Sequence, residues 1–112
     1  MNKQSTLHLP DAPTLGDIQV YVRALEKERG FDKNNLDPVR TALQLTEEVG
    51  ELCKAIRKQE RMTVARDSAV FEVADELADV LNFVAAIANR YGIDLETAFR
   101  EKEEKNNKRV WV

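Results

Sequence analysis

Apolar residues recur along this chain at intervals of three and four, and nowhere do they alternate strictly with polar ones. Intervals of that kind belong to helices, where 3.6 residues complete a turn; a half-buried strand repeats every second residue. Four segments carry the pattern. In the first, Ile18, Val22 and Leu25 follow Thr14, an N-cap with Asp17 placed to complete a capping-box pair. This helix is expected over residues 15–29, stopped by Gly30. Residues 31–36 read as a loop, and Asp37-Pro38 then starts a second helix, Asp as cap and Pro in the first turn. That helix carries Ala42, Leu45, Val49, Leu52 and Ile56 and is expected to end near Lys58. Residues 59–68 are polar and aperiodic. A third helix is expected from about Ala69 to Tyr91, stopped by Gly92, and Asp94 caps a fourth that reaches about Lys108. Leu95, Ala98 and Phe99 mark its inner face. Residues 1–13, with two prolines, read as a flexible arm, leaving 14–112 as one helical domain. Short connections between four helices predict an all-α antiparallel four-helix bundle.

The third helix is apolar over about half its circumference, from Val73 and Ala74 through Leu77, Leu81 and Val84 to Ala88. A bundle this small cannot cover such a surface alone, which predicts completion by homo-oligomerisation, as a dimer or a dimer of dimers. Charged residues make up 33% of the chain and the net charge is −3, so no global attraction draws it to nucleic acid or an anionic membrane. An anionic ligand must be held locally, by a metal or a few placed cations. The apolar stretches are too short to span a bilayer, and the N-terminus lacks an apolar signal core; a cytoplasmic location is expected. Cys53, the single cysteine, is expected on a core face as a small buried hydrophobe.

Candidate chemistry lies on the second and third helices. The second carries Glu47, Glu48 and Glu51, and the third Glu72, Asp75, Glu76 and Asp79. Glu48 and Glu51 share one side of their helix, as do Glu76 and Asp79 of theirs. Acids on helices are ordinarily solvated, but three features point elsewhere. The acidic stripe of the third helix runs on into Phe83 and Ala86, so it is partly buried, and buried acids need partners. Acids one turn apart repel, a cost that a divalent cation reverses. Gly50 interrupts the second helix at a cost of about 1 kcal/mol, which suggests a close backbone approach there. The ligands are all carboxylates, and His8, the only histidine, lies in the arm, so Mg²⁺ or Mn²⁺ fits better than Zn²⁺. On the fourth helix Lys102, Asn106 and Arg109 continue the expected inner face, as a phosphate-holding edge would.

With these residues the chain resembles the MazG-like all-α nucleoside triphosphate pyrophosphohydrolases, whose pattern is Glu-x-x-Glu, a variable spacer, then Glu-x-x-Asp. Here it reads EEVGE and ELADV, followed by a GIDL turn and a K-x-x-x-N-x-x-R tail, similar to the short, single-domain, dCTP-pyrophosphatase-like branch. The resemblance implies Mg²⁺ (or Mn²⁺) held by Glu48, Glu51, Glu76 and Asp79, with Lys102, Asn106 and Arg109 on the phosphates. It implies an extra acid, Glu47, to orient or deprotonate the water, and Asn82 as a further phosphate or sugar contact. Phe31 or Trp111 would stack on the base; Phe31 stands where many relatives place a Trp. The implied reaction splits a (d)NTP between its α and β phosphates into (d)NMP and pyrophosphate, in nucleotide-pool house-cleaning. Two other readings compete. One is a phosphoribosyl-ATP pyrophosphohydrolase-like enzyme, although its usual His-containing stretch is here DVLNFVAAI. The other is a non-catalytic helical dimer scaffold, which has no need of buried like charges. No nucleic-acid polymer is expected as a partner.

Overall fold

The computed structural model describes residues 4–31, 37–67 and 69–111, so most of the expected 31–36 loop lies outside the described residues. Four helices follow one another: α1 (Leu15–Glu28), α2 (Pro38–Gln59), α3 (Val73–Arg90) and α4 (Leu95–Asn107). No strand occurs among the described residues. Local signals set most boundaries. Thr14 accepts from the Asp17 N–H while Asp17 accepts from the Thr14 N–H, the reciprocal capping box expected for α1. Asp37 caps α2 through the Val39 N–H, with Pro38 in the first turn, and Asp94 caps α4 through the Thr97 N–H. Gly92 takes a positive φ of 62°, which lets Ile93 donate back to the Ala88 carbonyl at 2.9 Å and closes α3. The start of α3 differs from expectation: it falls at Val73 rather than Ala69. Glu72 occupies the N-cap in extended conformation with no side-chain capping bond, so Ala69–Phe71 stay outside the helix.

α3 is the hub. It packs antiparallel against α2 on one side and against α1 on another, while α4 lies along α1. The core is slim: Val22, Ala85 and Ala86, with Ile18 and Leu95 packed against them. A polar knot pins the α3–α4 turn to α1. Gln19 donates to Asn89 Oδ1 and to the Ile93 carbonyl, accepts from the Leu95 N–H, and lends its own carbonyl to Asn89 Nδ2. Within the residues before α1, the Ser5 hydroxyl donates to Glu28 near the end of that helix.

The radius of gyration is 16.8 Å, against about 13 Å for a compact chain of roughly 100 residues. Much apolar surface is uncovered, Leu77 being 52% exposed. On α2 the structure corrects the expected inward face. Thr41, Leu45, Glu48, Leu52 and Ala55 turn toward α3, whereas Ala42, Val49, Cys53 and Ile56 are exposed. The reason is that α2 carries two adjoining apolar stripes and α3 covers just one. Gly50 also differs: nothing lies within 4 Å of where its Cβ would stand, so no backbone approaches it. On α4, Leu95 and Ala98 are partly covered but Phe99, a step further round the helix, is exposed.

Candidate functional site

The facing stripes of α2 and α3 bring acids from both helices together. Glu48 comes from the middle of α2, between Leu45 and Leu52 on the inward side, and is half-buried. Glu76 stands in the first turn of α3 and is only 3% exposed, and Asp79 follows one turn later at the exposed edge. One carboxylate oxygen from each of the three lies within 4.8 Å of the others. Glu76 Oε2 is buried and has no hydrogen-bond partner. Burial pushes the Glu48 carboxyl above its usual range, reinforced by its hydrogen bond with Glu76 and then by the charges of Asp79, Glu76 and Glu51.

Glu51 is half-buried at the rim and outside this triad, with Lys54 at 4.0 Å from its carboxylate. Glu47, a step round α2 from Glu48, is exposed. The tail residues lie elsewhere in the chain. Lys102 is exposed on α4, the Asn106 amide donates to Glu103, and Arg109 is exposed beyond the helix end. Because α4 lies along α1, a single chain does not pack these three against the α2–α3 acids. Trp111 also follows α4, its indole N–H donating to the Asn106 carbonyl.

On the other side of the triad, toward the α3 C-terminus, α1, α2 and α3 line a half-open cavity of about 470 Å³. Asn82, one turn beyond Asp79, and Phe31 both line it, so the structure gathers these two expected contacts into one space. Val22, Leu25, Phe83 and Ala86 supply its apolar walls, and Thr41 and Gln44 polar groups. At its far end is a feature that sequence patterning missed: Glu26 and Arg90 form a two-pronged ion pair with side chains 13% and 8% exposed. The available signal was a polar residue at helical spacing on an apolar stripe, Val22 to Glu26 on α1 and Ala86 to Arg90 on α3.

Residues 37–111 match the MazG nucleotide pyrophosphohydrolase domain. The chain is 28% identical over 102 residues to the uncharacterized protein YvdC of Bacillus subtilis (strain 168), covering 85% of this chain and 94% of that one. Among solved structures, it is similar to YPJD from Bacillus subtilis, solved as a candidate pyrophosphatase. That match has a TM-score of 0.70 and 27% identity, over 90% of this chain and all of the other. It is also similar to iMazG from Vibrio DAT 722, with a TM-score of 0.57 and 32% identity, over 84% and 98% of the two chains. Capped helices, facing acids and family match converge: this chain is a helical pyrophosphohydrolase, a member of the MazG nucleotide pyrophosphohydrolase family.

Proposed function

We propose that the protein hydrolyses nucleoside triphosphates between the α and β phosphates in a Mg²⁺-dependent reaction, releasing a nucleoside monophosphate and pyrophosphate as a house-cleaning activity on the nucleotide pool. The observation that carries this reading is Glu76 Oε2, a buried carboxylate oxygen without a partner, set among two further carboxylates beside a nucleoside-sized cavity. Burying such an oxygen is costly unless something binds it. A donor set made only of carboxylates fits a hard divalent cation. Glu48, Glu76 and Asp79 would hold Mg²⁺, or Mn²⁺ in its place, and Glu51 would join them on leaving Lys54. When bound, the cation supplies neutralisation of phosphate charge and favours deprotonation of the attacking water.

The chain's own groups do the rest. Asn82 and Phe31 orient the nucleoside, so that the α-phosphorus rests at the triad. Glu47 serves as the extra acid that orients the water, and Glu47→Gln is expected to lower kcat with cation binding retained. Lys102, Asn106 and Arg109 reach phosphates at this site if they come from a second copy of the chain. The exposed α2 stripe favours such an assembly. Val39, Ala42, Thr46, Val49, Cys53 and Ile56 follow one another at alternating steps of three and four, the spacing of a helix–helix seam. A homodimer or a dimer of dimers would cover it together with Leu77 and Leu81 of α3; sedimentation showing monomer alone would remove this part of the reading. The cytoplasm is the compartment proposed, and no helix among the described residues is long and apolar enough to cross a membrane.

The reaction is tested by incubating the protein with a panel of NTPs and dNTPs, with and without Mg²⁺, and identifying the products. Pyrophosphate and monophosphate are expected, with Mg²⁺ only. Release of orthophosphate as the primary product would exclude α–β cleavage.

A further inference from the structure

The cavity wall changes character with distance from the acid triad. Gln44 stands one turn before Glu48 on α2, and Asn82 one turn after Asp79 on α3. Because the two helices run antiparallel, both amides lie on the same side of the triad, and both line the cavity. Solvent reaches each of them: Asn82 is half-buried and Gln44 exposed. Past them the wall is apolar, with Val22, Phe83 and Ala86. Thr41, further along α2, is already engaged, its hydroxyl donating to the Asp37 carbonyl. The amides of Gln19, Asn89 and Asn106 likewise bond within the chain. Those of Gln44 and Asn82 have no such partner among the described residues, so each offers two N–H donors and a carbonyl acceptor to a ligand in the cavity.

Spacing along the helices says which part of a ligand they meet. At 1.5 Å per residue, Gln44 lies about 6 Å from the level of Glu48 and Asn82 about 4.5 Å from that of Asp79. Side chains on one helix lean the same way, so these offsets carry over to the polar ends. In a nucleotide the sugar hydroxyls stand at a comparable distance from the α-phosphorus, and the base lies well beyond. The order along the cavity is carboxylates, amides, apolar wall; the order along a cation-bound nucleotide is phosphate, sugar, base. Gln44 also sits on the opposite edge of α2 from the exposed stripe of Ala42, Val49 and Cys53, so a second copy packed on that stripe leaves it open.

We infer that Gln44 and Asn82 hold the sugar of the nucleotide from opposite walls, their amides bonding its hydroxyl groups. The inference rests on the proposed function, which sets the α-phosphorus at the triad, and it makes the two amides determinants of sugar specificity. A site built to bond a hydroxyl discriminates against the analogue that lacks it.

The test uses one base, the one that wild-type protein turns over best, on four sugars: ribose and its 2′-deoxy, 3′-deoxy and 2′,3′-dideoxy forms. Wild type is expected to lose about tenfold in kcat/KM, mostly through KM, when the last hydroxyl is removed. Gln44→Leu and Asn82→Leu, each folded by circular dichroism, are expected to handle the dideoxy compound as wild type does and to lose most of the advantage of the hydroxylated ones. A wild type indifferent to the hydroxyls, or variants that keep the full hydroxyl advantage, would overturn the inference. A rise in KM equal for all four sugars would place the amides on the phosphates and overturn it as well. Calorimetry with the four corresponding monophosphates reads sugar recognition without turnover. Hydroxyl-dependent binding, weakened in both variants, without hydrolysis of any triphosphate would overturn the proposed reaction and leave this inference standing. Hydrolysis without hydroxyl dependence would overturn the inference alone, and neither binding nor hydrolysis would overturn both.

Discussion

Two clusters of polar side chains are buried against α3, and they behave in opposite ways. At the α3–α4 turn, Gln19 and Asn89 use their donors and acceptors on each other and on the Ile93 and Leu95 backbone. Between α2 and α3, Glu48, Glu76 and Asp79 face one another with like charges, and Glu76 Oε2 has no partner at all. The first cluster is complete within the chain, and its role is to fix where α4 departs. The second is incomplete and repulsive, which is what a binding centre looks like before its ligand arrives. Burial of polar groups does not by itself mark a site; burial without satisfaction does.

The contrast can be broken most forcefully at Glu76. Glu76→Gln is expected to lower turnover about a thousandfold, in the range seen when a charge-stabilising group leaves a catalytic site, with the helical circular dichroism spectrum unchanged. A variant that still turns over at the wild-type rate would take Glu76 out of the centre. Gln19→Leu should do the reverse. It leaves the Leu95 N–H, Asn89 Oδ1 and the Ile93 carbonyl without their side-chain partner, costing about 2–3 kcal/mol and lowering the melting temperature by about 10 °C. Cation binding at the triad should be unaffected, because Gln19 serves α1 and the turn and makes no bond to α2.

The acidic side of this contrast could be read from the chain before the structure, and the unread side has physical reasons. Helical spacing showed that Glu48 and Glu51, and Glu76 and Asp79, share faces, and the run from Asp79 into Phe83 and Ala86 pointed to burial. Glu76 and Ala86 are indeed buried, and Phe83 is half-buried. A helical wheel shows which residues share a face but not which neighbour that face meets. For α2, two apolar stripes were open to α3, and Cys53 and Val49 lie on the stripe that α3 does not cover. For α4, the Gly92 turn sends the helix along α1, so Lys102, Asn106 and Arg109 do not pack against the acids of their own chain. The Gln19 knot and the Glu26–Arg90 pair join residues far apart in sequence, and no local pattern announces such partners.

Smaller effects sharpen the same comparison. In the absence of divalent cations, Glu76→Gln is expected to stabilise the fold by about 1 kcal/mol by relieving repulsion within the triad, read as a higher denaturation midpoint. A lower midpoint would mean that the three acids are not in conflict. The pH dependence of the metal-free protein follows from Glu48, whose carboxyl lies above its ordinary value when folded. A raised carboxyl contributes stability that is fully present below its unfolded value of about 4.5 and is lost as pH rises through the higher folded one. The metal-free protein should thus lose a little stability as pH rises from acid toward neutrality, and saturating Mg²⁺ should flatten that slope.

The proposed chemistry depends most directly on the triad being a cation site. Titration calorimetry of Mg²⁺ into the protein with a non-hydrolysable α,β-imido nucleoside triphosphate tests it, using wild type and Glu76→Gln side by side. Saturable binding to the wild type, with affinity lost in Glu76→Gln, is the expected result. Equal binding by both proteins, or none by the wild type at millimolar Mg²⁺, would contradict it.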